Sequence, residues 1–249
     1  MGTRLLVLAL TTSLMVALAV TSAHAGYNVA AITGGGSISG KVVFEGTPPK
    51  PKTKTINKDP DTCGTGVAEY DVVSVGSGGA LESAVVYISK IKQGKDWAEE
   101  MKGQFELDQR GCKFVPKTYV VKRGAKMKVA NKDPVSHNVH SYEVKGRSRI
   151  TVFNSGQPAG SEFVKPVRMR RKGSHGLKLE CDIHNFMHGW MFVAENPYYS
   201  VTGKDGAFSI GDLPPGDYEL GVWHPVLGEQ STKVTIAAGA KAAATFQYK

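Results

Sequence analysis

Three side chains that bind soft metals stand close together in the stretch "CDIHNFM", which runs from Cys181 to Met187. His184 lies between Cys181 and Met187, so a thiol, an imidazole and a thioether follow one another at three-residue intervals. A second imidazole is available upstream in "NKDPVSHNVH", where His137 stands at the end of a predicted strand. Copper that transfers electrons needs ligands that suit both oxidation states, and a thiolate, two imidazoles and a weak axial thioether meet that need. We therefore predict one type 1 copper ion, with the ligands His137, Cys181, His184 and Met187.

Zinc is the chemical alternative to copper for these side chains. A tetrahedral zinc set would combine one thiolate with three imidazoles. Its members would be Cys181, His184, His188 and His140. This set leaves Met187 unused, and the spacing typical of zinc fingers is missing. Copper is therefore the preferred ion, and zinc stays open as the alternative.

The elements that must position these ligands are short β-strands. "GLKLEC" alternates Leu177, Leu179 and Cys181 on one face, and "HGWMFVAE" follows the ligand loop. Beyond the first 25 residues long helical periodicity is missing, and the best helix candidate, "DWAEEMKG", begins at Asp96 and ends at Gly103. Many short strands, separated by turns such as "GKDG" and "LPPGD", predict an all-β chain built from sandwiches or barrels.

The same residues resemble the copper-binding half of the cupredoxin family, with an amicyanin-like or plastocyanin-like ligand loop that is closest to amicyanin. The resemblance covers residues 113–195 and is carried by "SHNVH", the alternating strand, Cys-x2-His-x2-Met and "HGWMFVAE". It implies a Greek-key sandwich with the same four ligands, and it implies that Asn138 ties the two ligand segments together. It also implies that electrons pass at the exposed imidazole edge of His184, with Phe186 and Trp190 as an apolar collar.

The segments on either side of the copper region indicate a second β unit. Residues 197–249, with "KDG", "AFSI", "LPPGD" and "YELGVW", resemble a carboxypeptidase regulatory-like or transthyretin-like β-sandwich. About fifty residues are too few for a whole seven-stranded sandwich. Residues 26–105 are therefore expected to complete it through "GKVVFEG" and "ESAVVYISK". The cupredoxin-like domain, residues 106–196, would then be an insertion between two halves; independent halves are the alternative.

Residues 1–25 have the pattern of a secretory signal. A single charge at Arg4 precedes an apolar run from Leu5 to about Val20, and "AHA" ends at Ala25 with the small residues that a signal peptidase prefers. The triplet "TTS" interrupts the apolar run, which favours cleavage over a membrane span. The chain is therefore expected to be periplasmic or secreted without a span, while retention of the signal as an anchor stays open.

The chain has three cysteines, Cys63, Cys112 and Cys181, so pairing of two in an oxidising compartment leaves one over. Cys181 stands among metal-binding side chains. The predicted disulfide therefore joins Cys63 to Cys112. A different pairing, with one thiol merely buried, stays open.

The chain is basic, with 31 Lys and Arg against 22 Asp and Glu and a formal net charge of +9. Such a charge favours acidic partners, so we expect an acidic redox protein such as a c-type cytochrome or a dehydrogenase. One cluster of positive charge comprises Lys165, Arg168, Arg170, Arg171 and Lys172. It lacks interleaved aromatic residues and a recognition helix, so it indicates a solvated strand or a docking face and no nucleic-acid partner.

These observations together predict an exported type 1 copper protein that carries single electrons between redox partners. The alternative is a periplasmic copper-binding or trafficking protein that uses the same residues without transferring electrons. An oxidase or a nitrite reductase needs a second copper centre with further histidines, and this chain has 7 histidines and one cupredoxin-like stretch. The sequence offers no convincing Ser/His/Asp or paired-carboxylate arrangement, so no enzymatic activity is expected.

Overall fold

Nearly every regular element of the chain is a β-strand. The computed structural model describes residues 26–116 and 118–249, apart from the side chain of Thr118, and the predicted leader, residues 1–25, lies outside them. In chain order the strands are β1 (Asn28–Val29), β2 (Gly36–Phe44), β3 (Lys52–Thr55), β4 (Val67–Tyr70), β5 (Val85–Ile88), β6 (Gln93–Gly94), β7 (Phe105–Gln109), β8 (Phe114–Val115), β9 (Thr118–Lys122), β10 (Lys126–Asn131), β11 (His137–Lys145), β12 (Ser148–Gln157), β13 (Glu162–Pro166), β14 (Gly176–Glu180), β15 (His188–Ala194), β16 (Tyr199–Val201), β17 (Ala207–Leu213), β18 (Gly216–His224), β19 (Gly228–Ile236) and β20 (Lys241–Tyr248). The helical elements within these ranges are α1 (Pro60–Cys63) and 3-10 turns at Ser77–Gly79 and Glu99–Met101. The predicted all-β class is confirmed. No helix in the described ranges has the length and hydropathy that crossing a membrane requires.

The first unit is a sandwich of two sheets. Its five-stranded sheet has the order β12-β11-β14-β15-β9, and its four-stranded sheet has the order β13-β10-β7-β8. Two neighbouring pairs, β9 with β15 and β7 with β10, run parallel, and the other pairs are antiparallel. Both sheets contribute to one buried core, which includes Leu107, Val129, Val139, Leu177 and Met191. Burying such a side chain contributes about 1.5–3 kcal/mol, so this core fixes the strands that border the predicted ligands.

The second unit is built from strands that lie on both sides of the first unit in sequence. Its sheets have the orders β16-β5-β18-β19 and β17-β2-β20. The N-terminal strand β2 pairs with β17 and β20, and the N-terminal strand β5 pairs with β16 and β18. The core between the sheets includes Ile38, Val86, Phe208, Val222 and Phe246. The two segments bury their apolar faces jointly, because their strands alternate in the same sheets.

Strand β15 is buried on both faces and joins the two units. Met191 belongs to the core of the first unit, whereas the next residue, Phe192, faces the second unit. The Phe192 ring lies 4.9 Å from the ring of Tyr87 on β5 and 5.6 Å from that of Trp223 on β18, measured between centroids. A strand that is covered on both sides should be apolar almost throughout, as "HGWMFVA" is. Residues 181–187, which precede β15 and are called the ligand turn below, are therefore held by both units.

A loop from the N-terminal segment crosses to the first unit. We call residues 52–70 the strap; it comprises β3, α1 and β4, and β3 pairs with β4 in antiparallel orientation. A disulfide joins Cys63, at the end of α1, to Cys112, in the turn between β7 and β8, with the two Cα atoms 5.1 Å apart. At the other end of the strap, the Tyr70 ring stacks on the His188 ring with centroids 3.9 Å apart. The disulfide expected from the sequence is present, and it fastens the strap to the first unit.

The helix expected from Asp96 to Gly103 does not form. Only the 3-10 turn Glu99–Met101 is present there, and Ala98 has an extended conformation with ψ of 149°. The Asp96 carboxylate accepts a hydrogen bond from the Trp97 amide at 2.7 Å, and the Trp97 ring is buried between the two units. A helix of this length has little stability of its own, so the burial of Trp97 decides the backbone conformation.

Candidate metal centre

Three of the four predicted ligands bring donor atoms to one point. His137 is the first residue of β11, Cys181 directly follows β14, and His184 lies in the turn between β14 and β15. Backbone hydrogen bonds close this turn, from Cys181 N to Met187 O at 3.2 Å and from Met187 N to His184 O at 2.8 Å. Because β14 pairs with both β11 and β15, the two ligand segments meet at one end of the sheet.

The donor atoms form a triangle of the size that a small metal ion requires. His137 Nδ1 lies 3.0 Å from His184 Nδ1. Cys181 Sγ lies 3.9 Å from His137 Nδ1 and 3.8 Å from His184 Nδ1. The centre of a triangle with these sides lies about 2.1 Å from each corner, and metal bonds to imidazole nitrogen and thiolate sulfur are about 2.0–2.3 Å long. A thiol with two imidazoles in a trigonal array is the donor set of electron-transfer copper, so the residues fit the ion.

Each imidazole is held from behind by a carboxylate. His137 Nε2 lies 2.8 Å from Asp133 Oδ2, and His184 Nε2 lies 2.7 Å from Asp59 Oδ2. Carboxylates accept hydrogen bonds, so these two contacts favour the tautomer with the proton on Nε2, in which the lone pair of Nδ1 faces Cys181. Two such lone pairs 3.0 Å apart repel each other unless a cation or a proton lies between them.

The Cys-x2-His-x2-Met motif indicates neither Asp133 nor Asp59. Asp133 stands four residues before His137, and this spacing is a usable signal in the sequence. Asp59 is 125 positions from His184 and belongs to the other unit, so no local pattern indicates it.

The protonation states of these groups suit a metal site. Burial lowers the pKa of His184, although the Asp59 carboxylate opposes this change, so the ring is neutral near pH 7. Burial alone would raise the pKa of Asp133. Hydrogen bonds from the Cys112 amide and from His137 outweigh burial, so the pKa of Asp133 lies below its usual value. A neutral imidazole and an ionised carboxylate are the forms that metal binding requires.

The sulfur of Cys181 is prepared to carry negative charge when a metal binds. Burial raises the pKa of the Cys181 thiol, so the thiol keeps its proton in the metal-free protein. The backbone amides of Asn138 and His184 partly offset this effect, because each donates to Sγ at 3.4 Å. Metals bind the thiolate, so uptake of an ion here releases a proton.

Asn138 links the two ligand segments. Its Oδ1 accepts hydrogen bonds from the amides of Asp182 at 2.6 Å and Ile183 at 3.2 Å. Its Nδ2 donates to the Asp182 carboxylate at 3.0 Å and to Asn154 at 2.8 Å. These bonds hold the start of β11 against the ligand turn.

Met187, the fourth predicted ligand, is buried in the core of the first unit together with Cys181. Its exposed fraction is 1%, and its backbone closes the ligand turn. A thioether is a soft and weak donor, so Met187 would be chemically suited to hold a soft metal ion as a fourth, weaker ligand.

The imidazole edge of His184 is not part of the protein surface. The cupredoxin resemblance implies an exposed port at His184 with Phe186 and Trp190 around it, but these side chains are 0%, 5% and 8% exposed. Asp59 covers Nε2 of His184, and the Trp190 indole donates to Asp71, directly after the strap, at 3.1 Å. Phe186 does contact His184, with ring centroids 5.6 Å apart. The expectation of an exposed electron port is therefore wrong, because all three residues are buried and Asp59 of the strap covers the edge of the His184 ring.

The zinc alternative is not supported by the positions of its histidines. His140 Nδ1 pairs with the Asp182 carboxylate at 3.0 Å, and His188 Nε2 donates to a backbone carbonyl of the ligand turn at 2.8 Å. Among the residues that the structure describes, three groups of possible ligand atoms lie within 4.8 Å of one another, and none includes His140 or His188. Two of these groups contain sulfur atoms of the Cys63–Cys112 disulfide, which cannot act as thiolates but lie against the imidazoles.

Comparison of the sequence with known proteins gives a partial match. The family model for domain II of polysaccharide lyase family 4 matches residues 186–244. The carboxypeptidase regulatory-like or transthyretin-like family expected for residues 197–249 is therefore not the family that matches. No curated protein matches the chain.

Similar solved structures are copper proteins of the cupredoxin type. A purple cupredoxin from Nitrosopumilus maritimus is 22% identical, covers 37% of this chain and 99% of its own length, and has a TM-score of 0.30. A reduced amicyanin variant is 19% identical, covers 37% of this chain and 83% of its own, and has a TM-score of 0.29. A copper-containing nitrite reductase from Thermus scotoductus is 16% identical, covers 62% of this chain and 28% of its own, and has a TM-score of 0.30. Likeness at this level assigns neither a family nor an activity to the chain.

The expectation that the chain is not an enzyme is corrected by the family-model match. Residues 186–244 match a domain whose family is named after an enzyme, a polysaccharide lyase. The lack of a Ser/His/Asp or paired-carboxylate pattern in the sequence is therefore not a sufficient ground for excluding enzymatic activity.

Proposed function

We propose that this chain binds one type 1 copper ion and exchanges single electrons with a redox partner. The observation that carries this proposal is the buried triangle of His137 Nδ1, His184 Nδ1 and Cys181 Sγ, whose centre lies about 2.1 Å from each atom. The Cys-x2-His-x2-Met spacing resembles the ligand loop of amicyanin and offers Met187 as a fourth, weaker donor.

The residues around the centre suit this activity because they resist rearrangement. When bound, copper supplies a one-electron redox couple at the centre of the triangle. Asp59 and Asp133 fix the two imidazoles, and the core of the first unit fixes the strands that carry them. The amides of Asn138 and His184 stabilise charge on the sulfur, and burial keeps water away. Ligands held in this way change little when an electron arrives or leaves.

The location and the partner are further parts of the proposal. The leader at residues 1–25 supports export, and the net charge of +9 supports an acidic partner such as a c-type cytochrome or a dehydrogenase. Within the basic cluster, Arg171 is not available to a partner, because its Nε donates to the buried Glu143 carboxylate at 2.8 Å. Arg168, Arg170 and Lys172 are exposed and can steer an acidic protein.

An absorption spectrum of the mature protein tests the proposal. Protein purified without metal and titrated with cupric ion should develop an intense visible band from the thiolate of Cys181, complete at one equivalent. Cys181→Ser should abolish this band, whereas His140→Gln, a change at a histidine outside the triangle, should leave it intact. A colourless complex with cuprous ion or zinc would contradict electron transfer and support copper trafficking or a structural zinc site instead.

A further inference from the structure

We propose that Asp59 is a positioning residue of the copper centre, and that the strap, fastened by the Cys63–Cys112 disulfide, closes the centre against solvent. The inference rests on the proposed function, because it concerns how the same site is held and covered. The strap belongs to the N-terminal segment, whereas the proposed ligands belong to the first unit. The centre is therefore complete only when the strap lies against the first unit.

The backbone at Asp59 is arranged so that its side chain reaches away from its own helix. Asp59 precedes α1 with φ of 48° and ψ of 55°, a left-handed conformation that aspartate tolerates better than most residues. Its carbonyl oxygen accepts hydrogen bonds from the amides of Thr62 and Cys63 at 3.0 and 2.8 Å. An aspartate before a helix commonly caps it, yet this side chain makes no capping bond and lies 2.7 Å from His184 Nε2.

The Cys63–Cys112 disulfide holds the strap at the place where the rings of His137 and His184 lie close together. Cys63 ends α1, and its partner Cys112 donates its backbone amide to Asp133 at 2.8 Å. Possible ligand atoms of Cys63, Cys112 and His184 all lie within 4.8 Å of one another, and the same holds for Cys112, Asp133 and His137. The disulfide therefore fixes the strap beside the turn between β7 and β8, which supports His137 through Asp133.

The opposite end of the strap is anchored to the same unit. Asp71, directly after the strap, pairs with Lys52 at 2.9 Å and accepts a hydrogen bond from the Trp190 indole at 3.1 Å. The stacking of Tyr70 on His188 adds a second contact there. With both ends fixed, the strap leaves the His184 side chain 0% exposed, while the Asp59 side chain above it is 35% exposed. Solvent and partner proteins therefore contact Asp59 at the place where the cupredoxin resemblance implies an exposed imidazole edge.

The first experiment uses the metal-free protein, so that its outcome does not depend on copper. We expect nitrogen NMR of the wild-type His184 ring to show the proton on Nε2, and a thiol reagent to label Cys181 slowly. Asp59→Ala should give mixed His184 tautomers and faster labelling. Asp59→Asn keeps an acceptor oxygen and should restore most of the wild-type behaviour. Asp61→Ala removes an exposed carboxylate of the same helix and serves as the matched control.

The second experiment follows removal of copper by a chelator. Loss of a hydrogen-bond partner behind a ligand commonly lowers metal affinity by about 10–100-fold, and we expect this loss in Asp59→Ala but not in Asp61→Ala. The double variant Cys63→Ser/Cys112→Ser keeps Asp59 but frees the strap. It should label Cys181 faster when metal-free and release copper faster when loaded.

The outcomes separate the two proposals. If Asp59→Ala and Asp61→Ala show the same His184 tautomers, the same labelling and the same copper release, the positioning role of Asp59 is wrong even though the wild-type protein forms its visible band. If the wild-type protein forms no such band, the proposed function is wrong, while the tautomer and labelling results still decide the role of Asp59. Circular dichroism of each variant confirms that the β-sheets have formed.

Discussion

The Asn138 side chain forms one hydrogen bond with the backbone of Asp182 and another with its carboxylate. The Asn138 carboxamide oxygen accepts the Asp182 amide at 2.6 Å, and the Asn138 amide nitrogen donates to the Asp182 carboxylate at 3.0 Å. Asn138 directly follows His137, and Asp182 directly follows Cys181. The pair therefore sets the separation of two proposed ligands that are far apart in sequence.

Asn138→Ala should loosen the ligand turn. The substitution leaves the amides of Asp182 and Ile183 without their acceptor, and an unsatisfied partly buried amide costs about 1–3 kcal/mol. We expect the free energy of unfolding to fall by about 2 kcal/mol or more, measured by urea denaturation of the metal-free protein. Asn154→Ala, at an exposed partner of the same network, is the control and should cost under about 1 kcal/mol. Equal losses in the two variants would contradict the linking role of Asn138.

Met187→Leu should change the reduction potential and leave the fold intact. Leucine has nearly the volume of methionine, so the buried site should lose less than about 1.5 kcal/mol of stability. Removing the thioether takes a weak donor from the cupric form, so we expect the visible band to remain and the potential to rise. Voltammetry of the copper-loaded variant and wild type measures this shift. An unchanged potential would show that Met187 is not a ligand of the copper ion.

The Cys63–Cys112 disulfide should contribute substantially to stability. It joins residues 49 positions apart, and the loss of chain entropy for such a loop corresponds to about 4 kcal/mol. Urea denaturation with and without a dithiol reductant should show a lower midpoint for reduced wild-type protein. The double variant Cys63→Ser/Cys112→Ser should match the reduced protein and should not respond to the reductant. A double variant as stable as the oxidised wild type would contradict this expectation.

His224 should make the stability of the second unit depend on pH. Burial lowers its pKa to about 4, from a value near 6.5 in the unfolded chain. Between these values the unfolded state binds a proton that the folded state does not, so stability is lost as the pH falls from 6.5 toward 4. The loss attributable to this group is at most about 3 kcal/mol.

His224→Asn is the matched variant for this pH effect. His224 Nδ1 accepts hydrogen bonds from the amides of Val226 and Leu227 at 3.2 and 3.3 Å, and asparagine can offer an acceptor oxygen without titrating in this range. Urea denaturation at several pH values between 7 and 4.5 should show a shallower decline for the variant. Parallel declines would mean that His224 does not titrate as proposed.

Two corners of the ligand triangle could be predicted from the sequence because their information is local. Cys181 and His184 lie in one short turn, and the strand before it alternates Leu177, Leu179 and Cys181 toward the core. The second imidazole lies 44 positions from Cys181, so local spacing does not indicate it. His137 could be predicted because it stands at a strand end in "NKDPVSHNVH", and that strand pairs with β14.

The cover of the site could not be predicted, because it depends on contacts between distant segments. Asp59 is brought to His184 by a disulfide and by a positive φ, neither of which leaves a periodic pattern. The cupredoxin resemblance implies an exposed port because it rests on the ligand segments alone, and these carry no information about a strap from another part of the chain. The missing helix after Asp96 has a similar cause, since the burial of Trp97 between the units overrides a weak local preference.

The parallel pairing of β2 with β20 determines how the chain responds to mechanical tension. Eight residue pairs, from Ser37 with Lys241 to Phe44 with Tyr248, join the first and last long strands of the described chain. Tension applied in opposite directions to the N-terminal end of β2 and the C-terminal end of β20 would load these hydrogen bonds together in shear, rather than opening them one by one. The load would then pass through the β2–β20 pairing before it reached the unit between β5 and β16, which carries the proposed copper centre.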